Sequence, residues 1–453
     1  MGTDKLIVVS GDSHATMPLD VWEDYVESKY HDLLPQSRVD NVQYTDILGH
    51  IFKLSPETLE VVDTEGRMAA GGHLGIWDLD MRLAEMDREG IAAEVVLLGD
   101  PRAMPPLASI FRVYPDDVAA ASGRAFHRWL ADTFGPASDR LLLAGDPASG
   151  VDRDAILAEL DWMAAHNFSV VQLPNVNAHA EKLPPLYDAY WDPFWAKCVE
   201  YGMTVGMHAG YGSEPAEFMT KLQGIKSKME ATGGTDLLNA VLNNTEEFFA
   251  LDLRPRRAMW HMMIGGVFDR HPGLRVIQCE LRTDWLPSTL AHLDAVYERV
   301  RGHVPAKRKP SEYWHDNWFV SQSFPAKLEV EMRHEIGIET ITLGRDYPHV
   351  EGTWPNTFDW LSGVFEGVPD NEVKMLLGEN AVRFFGLDRD RMAAIADRIG
   401  PTMDQLRGRP ACHDEKMVAN WDKRGQYLKE LEPANPVAID KLLLKDVEAL
   451  GAH

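Results

Sequence analysis

Eight short apolar runs, most of them separated by amphipathic stretches, constrain the fold of this chain more than any other feature. They are KLIVVSGDSH (5–14), AAEVVLLGD (92–100), RLLLAGDP (140–147), FSVVQLPNV (168–176), MTVGMHAG (203–210), LRVIQCELR (274–282), NWFVSQSF (317–324) and ETITLGRDYPH (339–349). Each is long enough to cross a sheet once and too short for a buried helix. Between them the period changes. DLDMRLAEMDREG (78–90) brings Leu79, Leu83 and Met86 near one face and stops at Gly90. DAILAELDWMAAHN (154–167) does the same with Ile156, Leu157, Leu160 and Met163, and PSTLAHLDAVYERV (287–300) with Leu290, Leu293 and Tyr297. Alternating strands and helices dictate a parallel sheet. Eight strands with crossovers favour a closed (β/α)8 TIM barrel over an open, doubly wound sheet, and no GxGxxG or P-loop follows a strand to argue for the open form.

Residues 1–390 are therefore expected to form the barrel, with insertions at about 30–77 after the first strand and about 211–258 after the fifth. The second insertion reads as helical through TDLLNAVLNNTEEFFALDL (235–253). Loops after barrel strands build the active-site face, so both insertions are candidate lids. Residues 391–453 read as a charged helical extension, packed on the outside or across a subunit interface.

Charge narrows the partners. Against 45 Lys and Arg stand 70 Asp and Glu, a net charge of −25, which repels phosphate backbones and anionic lipid. A small-molecule substrate is expected, with no nucleic-acid or membrane partner. The three cysteines are far apart and form no pair, which suits a reducing, cytoplasmic setting. The apolar run Leu6–Val9 is too short for a signal-peptide core, and no window approaches a membrane span.

Polar residues gather where barrel enzymes do chemistry, at the C-terminal ends of strands. The first strand ends in Asp12 and His14, which share a side because side chains alternate. The fifth ends in His208, the sixth in Cys279 and Glu280, and the eighth in Asp346, followed by His349. Singly each has a plain structural alternative: GDSH as a turn, His208 bonded to a backbone carbonyl, Asp346 capping a helix. Together, two carboxylates and two imidazoles from Asp12, His14, His208 and Asp346 suit one divalent cation, zinc first, with manganese or iron compatible.

The same residues resemble the amidohydrolase superfamily, in its amidohydrolase-related branch that includes aminocarboxymuconate-semialdehyde decarboxylase. The resemblance runs from residue 5 to about 390. Its carriers are GDSHATMPLDVW (11–22), MDREGIAAEVVLLG (86–99), YWDPFWAKCVEYGMTVGMHAG (190–210), IGGVFDRHPGLRVIQCE (264–280), WLPSTLAHLD (285–294), GRDYPH (344–349) and GENAVRFFGLD (378–388). It implies a one-metal barrel, with Asp12 and His14 in place of the family's first-strand pair and His208 as the strand-five ligand. Asp346 would bind metal and transfer protons, and His349 would orient the ligands around it. Relatives are often dimers, so a homodimer or higher homo-oligomer is expected.

Two positions depart from the family pattern. Arg345 stands where a small Ser is usual; it holds a substrate carboxylate if it faces the cavity, and forms an exterior ion pair if it faces out. On strand six the decarboxylases of this branch carry a catalytic His, and here Glu280 takes that place. A carboxyl cannot protonate a ring carbon near neutral pH unless its pKa is raised. Glu280 could otherwise be a further metal ligand, a general base or a partner for Arg282. Arg282 and Arg345 are the candidate substrate-binding residues.

Three functions follow. The first is hydrolysis of an amide, ester or lactone by metal-activated water, with Asp346 shuttling the proton and Glu280 assisting. The second is non-oxidative decarboxylation, or hydration, of an aromatic or unsaturated carboxylic acid. The third is a barrel that binds a ligand without chemistry. The aromatics Tyr190, Trp191, Phe194 and Trp195 read as core, and His73 and His261 as structural or surface residues.

Overall fold

A computed structural model of the chain describes residues 5–40, 42, 54–99, 107, 114–148, 150–176, 182–212, 215–234, 240, 253–429 and 436–451. All eight expected strands are present: β1 (Val9–Ser10) and β2 (His14–Ala15), β3 (Ala93–Leu98), β4 (Leu141–Gly145), β5 (Phe168–Gln172), β6 (Thr204–His208), β7 (Arg275–Cys279), β8 (Trp318–Ser323) and β9 (Ile341–Gly344). The expected first strand differs in being split. Between β1 and β2 the ladder is interrupted at Gly11 and Asp12 and resumes at Ser13, which bridges to Tyr347; β1 pairs with both β9 and β3, and β2 pairs with β3. All pairings are parallel, and the contact Val9↔Ala93 closes the sheet into a barrel. The three amphipathic patterns become helices at Leu79–Arg88, Arg153–Ala165 and Leu286–Val300.

Side-chain alternation divides each strand between two cores. Val9, Val95, Leu142, Val170, Ile277 and Phe319 fill the barrel, which Phe384 helps to seal. Val96, Leu143, Val171, Val205, Val276 and Val320 face the surrounding helices. Trp191, Phe194 and Trp195 pack into that outer layer, as their composition suggested.

The two insertions are partly described. The first contains the helix Pro56–Val62 and the turn Gly72–Ile76, and the second the helix Pro215–Ala231. Apart from Ala240 and Leu253, the expected helix at 235–253 lies outside the described residues. The C-terminal residues lie against the barrel. Met392 and Ala396 join the inner cluster, Trp421 and Tyr427 pack on Trp360, and Asp446 pairs with Arg257 and His261. His261 is thus a tether for the last helix, Pro436–Gly451. No described helix is long and apolar enough to cross a membrane.

Candidate metal centre

Strand parity decides which side chains reach the barrel mouth. On β9, Ile341 and Leu343 pack outward, so Gly344 and Asp346 fall inward and Arg345 outward. A Cβ on Gly344 would lie 2.5 Å from Ser321 Oγ and 3.0 Å from Asp12 Cβ, so only glycine lets the first and eighth strands approach this closely. The chain then leaves β9 through Asp346 at φ 53° and leaves β7 through Glu280 at φ 55°. Such left-handed backbone is rare outside glycine and concentrates at functional sites. For Glu280 the turn decides its placement. Cys279 faces the barrel interior, so plain alternation would send Glu280 outward; instead its carboxylate comes within 3.4 Å of His208 Nδ1.

The four expected ligands converge. His14 Nε2 lies 3.0 Å from Asp346 Oδ1 and 3.5 Å from Asp12 Oδ1, and His208 Nε2 lies 3.6 Å from Asp12 Oδ1. His14 Nδ1 donates to the Leu98 carbonyl at 2.7 Å, which leaves Nε2 as the ligating nitrogen. Asp12 is held from behind by the Ser323 hydroxyl. His349 stacks on His14 with ring centroids 4.1 Å apart, and its Nδ1 lies 3.1 Å from Asp346 Oδ1.

The donor set fits a divalent cation on two grounds. Asp12 Oδ1, His208 Nε2 and Asp346 Oδ2 are buried without a hydrogen-bond partner, a costly state that metal ligation relieves. The electrostatics agree. Burial alone would lower the His208 pKa, yet the surrounding carboxylates, Asp12 first among them, push it up to about 9, as a site that attracts positive charge requires. Burial and the neighbouring His349 hold His14 below its ordinary value, as an uncharged ligand must be. A metal requires His208 neutral as well. Metal uptake below pH 9 should therefore release a proton, and apparent affinity should weaken as pH falls. Calorimetric titration with Mn2+ in buffers of different ionisation enthalpy measures that release.

Burial acts in opposite senses on the two acids beside this set. Burial and the nearby charges of Asp346, Glu351 and Asp12 raise Glu280 well above the carboxylate range, against the opposing pull of His208. For Asp346 the burial penalty is outweighed by His349 and His14, which hold it well below that range. His349 is raised well above its ordinary value, chiefly because Asp346 overcomes its desolvation.

The structure does not bring Arg345 to the site. It is fully buried outside the barrel, with Nε 2.8 Å from Glu94 Oε2 and Nη1 2.8 Å from Glu89 Oε2. The substrate-binding assignment gives way to the exterior ion pair, because Asp346 faces in and its neighbour must face out. Arg82 clamps the other Glu94 oxygen and donates to the His14 carbonyl at 2.7 Å, so this network supports the metal-ligating strand from behind. Arg282 does lie beside Glu280, in a cavity at the barrel mouth. Sequence reasoning missed Glu351 and Arg424. Glu351 presents a ligand atom within 4.8 Å of those of Glu280, Asp346 and His349, and its spacing two residues after His349 was a usable signal. Arg424 lines the same cavity from the C-terminal extension, and nothing in its local sequence marks it.

Comparison with known proteins was consistent with this geometry. Residues 44–387 match the family model described as Amidohydrolase. Gamma-resorcylate decarboxylase of Rhodococcus jostii (strain RHA1) is 28% identical over 133 residues, which are 28% of this chain and 39% of that protein. The match therefore spans well under half of the curated relative's length. An amidohydrolase from Mycobacterium avium subsp. paratuberculosis K-10 has the same fold, with a TM-score of 0.57 at 20% identity over 84% of this chain and 99% of the other. So does 5-carboxyvanillate decarboxylase from Sphingomonas paucimobilis, at a TM-score of 0.54 and 17% identity over 84% and 100%.

Proposed function

Because the chain belongs to the amidohydrolase family, we propose that it is a metal-dependent, non-oxidative decarboxylase of an aromatic or unsaturated carboxylic acid. The observation that carries this reading is Glu280, a buried carboxyl turned by its left-handed backbone into the ligand set. It departs from the catalytic His that the resemblance implies at this position, and its raised pKa meets the condition under which a carboxyl can donate a proton there instead. The curated relative, a decarboxylase, lends support.

Asp12, His14, His208 and Asp346 would hold the cation, zinc first with manganese or iron compatible, and when bound it supplies a positive charge that fixes and polarises the substrate carboxylate. Glu280, held protonated, donates its proton to the carbon as the bond to the departing CO2 breaks, and regains a proton from water. Asp346 stays ionised, paired with His349 and His14. Hydrolysis, the first expectation from the sequence, has less support. The curated relative that matches is a decarboxylase and not a hydrolase.

The test is to incubate the metal-loaded chain with hydroxybenzoic and unsaturated carboxylic acids and follow CO2. Release of CO2, with one deuterium on the former carboxyl-bearing carbon in D2O, is the expected result; turnover of amides or lactones without CO2 overturns the reading. Glu280→Gln should lower kcat by roughly 10²–10⁴-fold while leaving metal content intact. The sign of the pH effect follows from the raised value. Wild-type activity should fall as pH rises through the Glu280 pKa, and that alkaline limb should be missing from the Gln variant.

A further inference from the structure

We infer that Arg82 is a positioning residue of the metal centre: its buried guanidinium locks Ser13 and His14 against the Gly72–Ile76 turn of the first insertion, and so sets the spacing of His14 and Asp346 on which cation affinity depends. The inference rests on the metal dependence of the proposed function and holds whichever acid is the substrate.

Two buried arginines share Glu94, and they spend their other donors differently. The Arg345 guanidinium donates to Glu94 and Glu89, both carboxylates. Arg82 gives Glu94 only Nε, at 2.7 Å. Its Nη1 donates to the His14 carbonyl at 2.7 Å and to the Gly75 carbonyl at 3.2 Å, and its Nη2 to the Ser13 hydroxyl at 2.8 Å. Balancing the charge of Glu94 needs none of these three bonds; they hold the segment that carries a ligand. Ser13 donates its own hydroxyl proton to the Val95 carbonyl at 2.6 Å, which ties the same segment to β3. A guanidinium carries its donors in a fixed plane and can hold several acceptors at set angles, which an ammonium cannot.

The opposite side of the centre is tied to the same group. Tyr347 directly follows Asp346, and its ring centroid lies 5.2 Å from the Arg82 guanidinium carbon. The Tyr347 carbonyl accepts from the His14 amide at 2.8 Å, and its hydroxyl donates to the Gly72 carbonyl. The Ile76 carbonyl accepts from the Thr16 amide at 3.0 Å, so the turn is bonded to the chain on both sides of the ligand pair. A Cβ on Gly75 would lie 2.3 Å from the Tyr347 hydroxyl oxygen and 2.9 Å from Arg82 Cα, and only glycine lets the turn close on these two residues. His14 is thus fixed at three points besides its ligating nitrogen: the amide by Tyr347, the carbonyl by Arg82 and Nδ1 by Leu98. Of the three partner groups, Arg82 alone contributes a side chain. It is the contact that a substitution can remove, and groups that hold a ligand in place from behind set metal affinity.

Competition for Mn2+ between the folded chain and a chelator tests this. Arg82→Lys keeps a positive charge beside Glu94 and loses the fork. It should raise the Mn2+ dissociation constant by roughly 10–100-fold, and its Mn2+-saturated form should give an electron paramagnetic resonance spectrum unlike that of the wild type. Ser13→Ala leaves every ion pair in place and removes one bond, so it should raise the constant by about 3-fold. Arg345→Met unbalances the same Glu94 and should leave both readings at their wild-type values. Wild-type affinity in Arg82→Lys, or in Ser13→Ala where the lysine variant does not fold, overturns the inference. So does an equal loss in Arg345→Met, since the effect would then be a general loosening of buried ion pairs. A wild type that takes up no Mn2+ sinks the proposed function and this inference together. Absence of CO2 release, with Mn2+ affinities in the expected order, sinks the proposed function alone.

Discussion

Replacing Asp12 and His14 together by alanine should strip the chain of its divalent metal and take activity to background. About one metal per chain is expected for the wild type, since the donors of Asp12, His14, His208 and Asp346 converge on one point. In the double variant elemental analysis should find roughly a tenth of that or less, and kcat/KM should fall by about 10³-fold or more. The size of the effect follows from how the two residues are held. His14 has one nitrogen committed to the Leu98 carbonyl and the other aimed at Asp346, and Asp12 has one oxygen committed to Ser323 and the other unpartnered. Glu280, Asp346, His349 and Glu351 also bring ligand atoms within 4.8 Å of one another, but that group lacks the unpartnered Asp12 oxygen and the committed His14 nitrogen. A double variant that keeps stoichiometric metal would show that the cation sits elsewhere.

The second large effect concerns stability. Arg345→Met should lower unfolding free energy by roughly 3–5 kcal/mol, because it leaves Glu94 and Glu89 short of a partner inside the protein. Burial would raise the Glu94 carboxyl, but Arg345 and Arg82 hold it below its ordinary range. Its folded value is thus below its unfolded one, so this stabilisation is full at neutral pH and fades only as pH falls into and below the carboxylate range. Urea unfolding at pH 7 measures the loss. The same variant separates the two roles that the sequence left open for Arg345. If it supports the barrel from outside, stability falls and KM of the folded fraction holds; if it gripped substrate, KM would rise and stability would hold.

Much of the site was legible because it depends on local rules. Asp12, His14, His208 and Asp346 each end a strand, and barrel strands end at one face. Arg345 was half-legible: alternation sets it opposite Asp346, but only its partners, Glu89 and Glu94, show what it does there. Glu280 was recognised as a departure and its direction was not, since one residue at φ 55° reverses what alternation implies. Arg424 lies more than a hundred residues beyond Arg282, and no periodicity connects them.

By itself the sequence determined the barrel, its strand order of appearance and the gathering of Asp12, His14, His208 and Asp346 at one face, because period, length and strand-end position are properties of neighbouring residues. Only the tertiary structure decided which way Glu280 turns, which arginine supports the wall and which faces the cavity. Those outcomes depend on burial and on charges brought together from far along the chain.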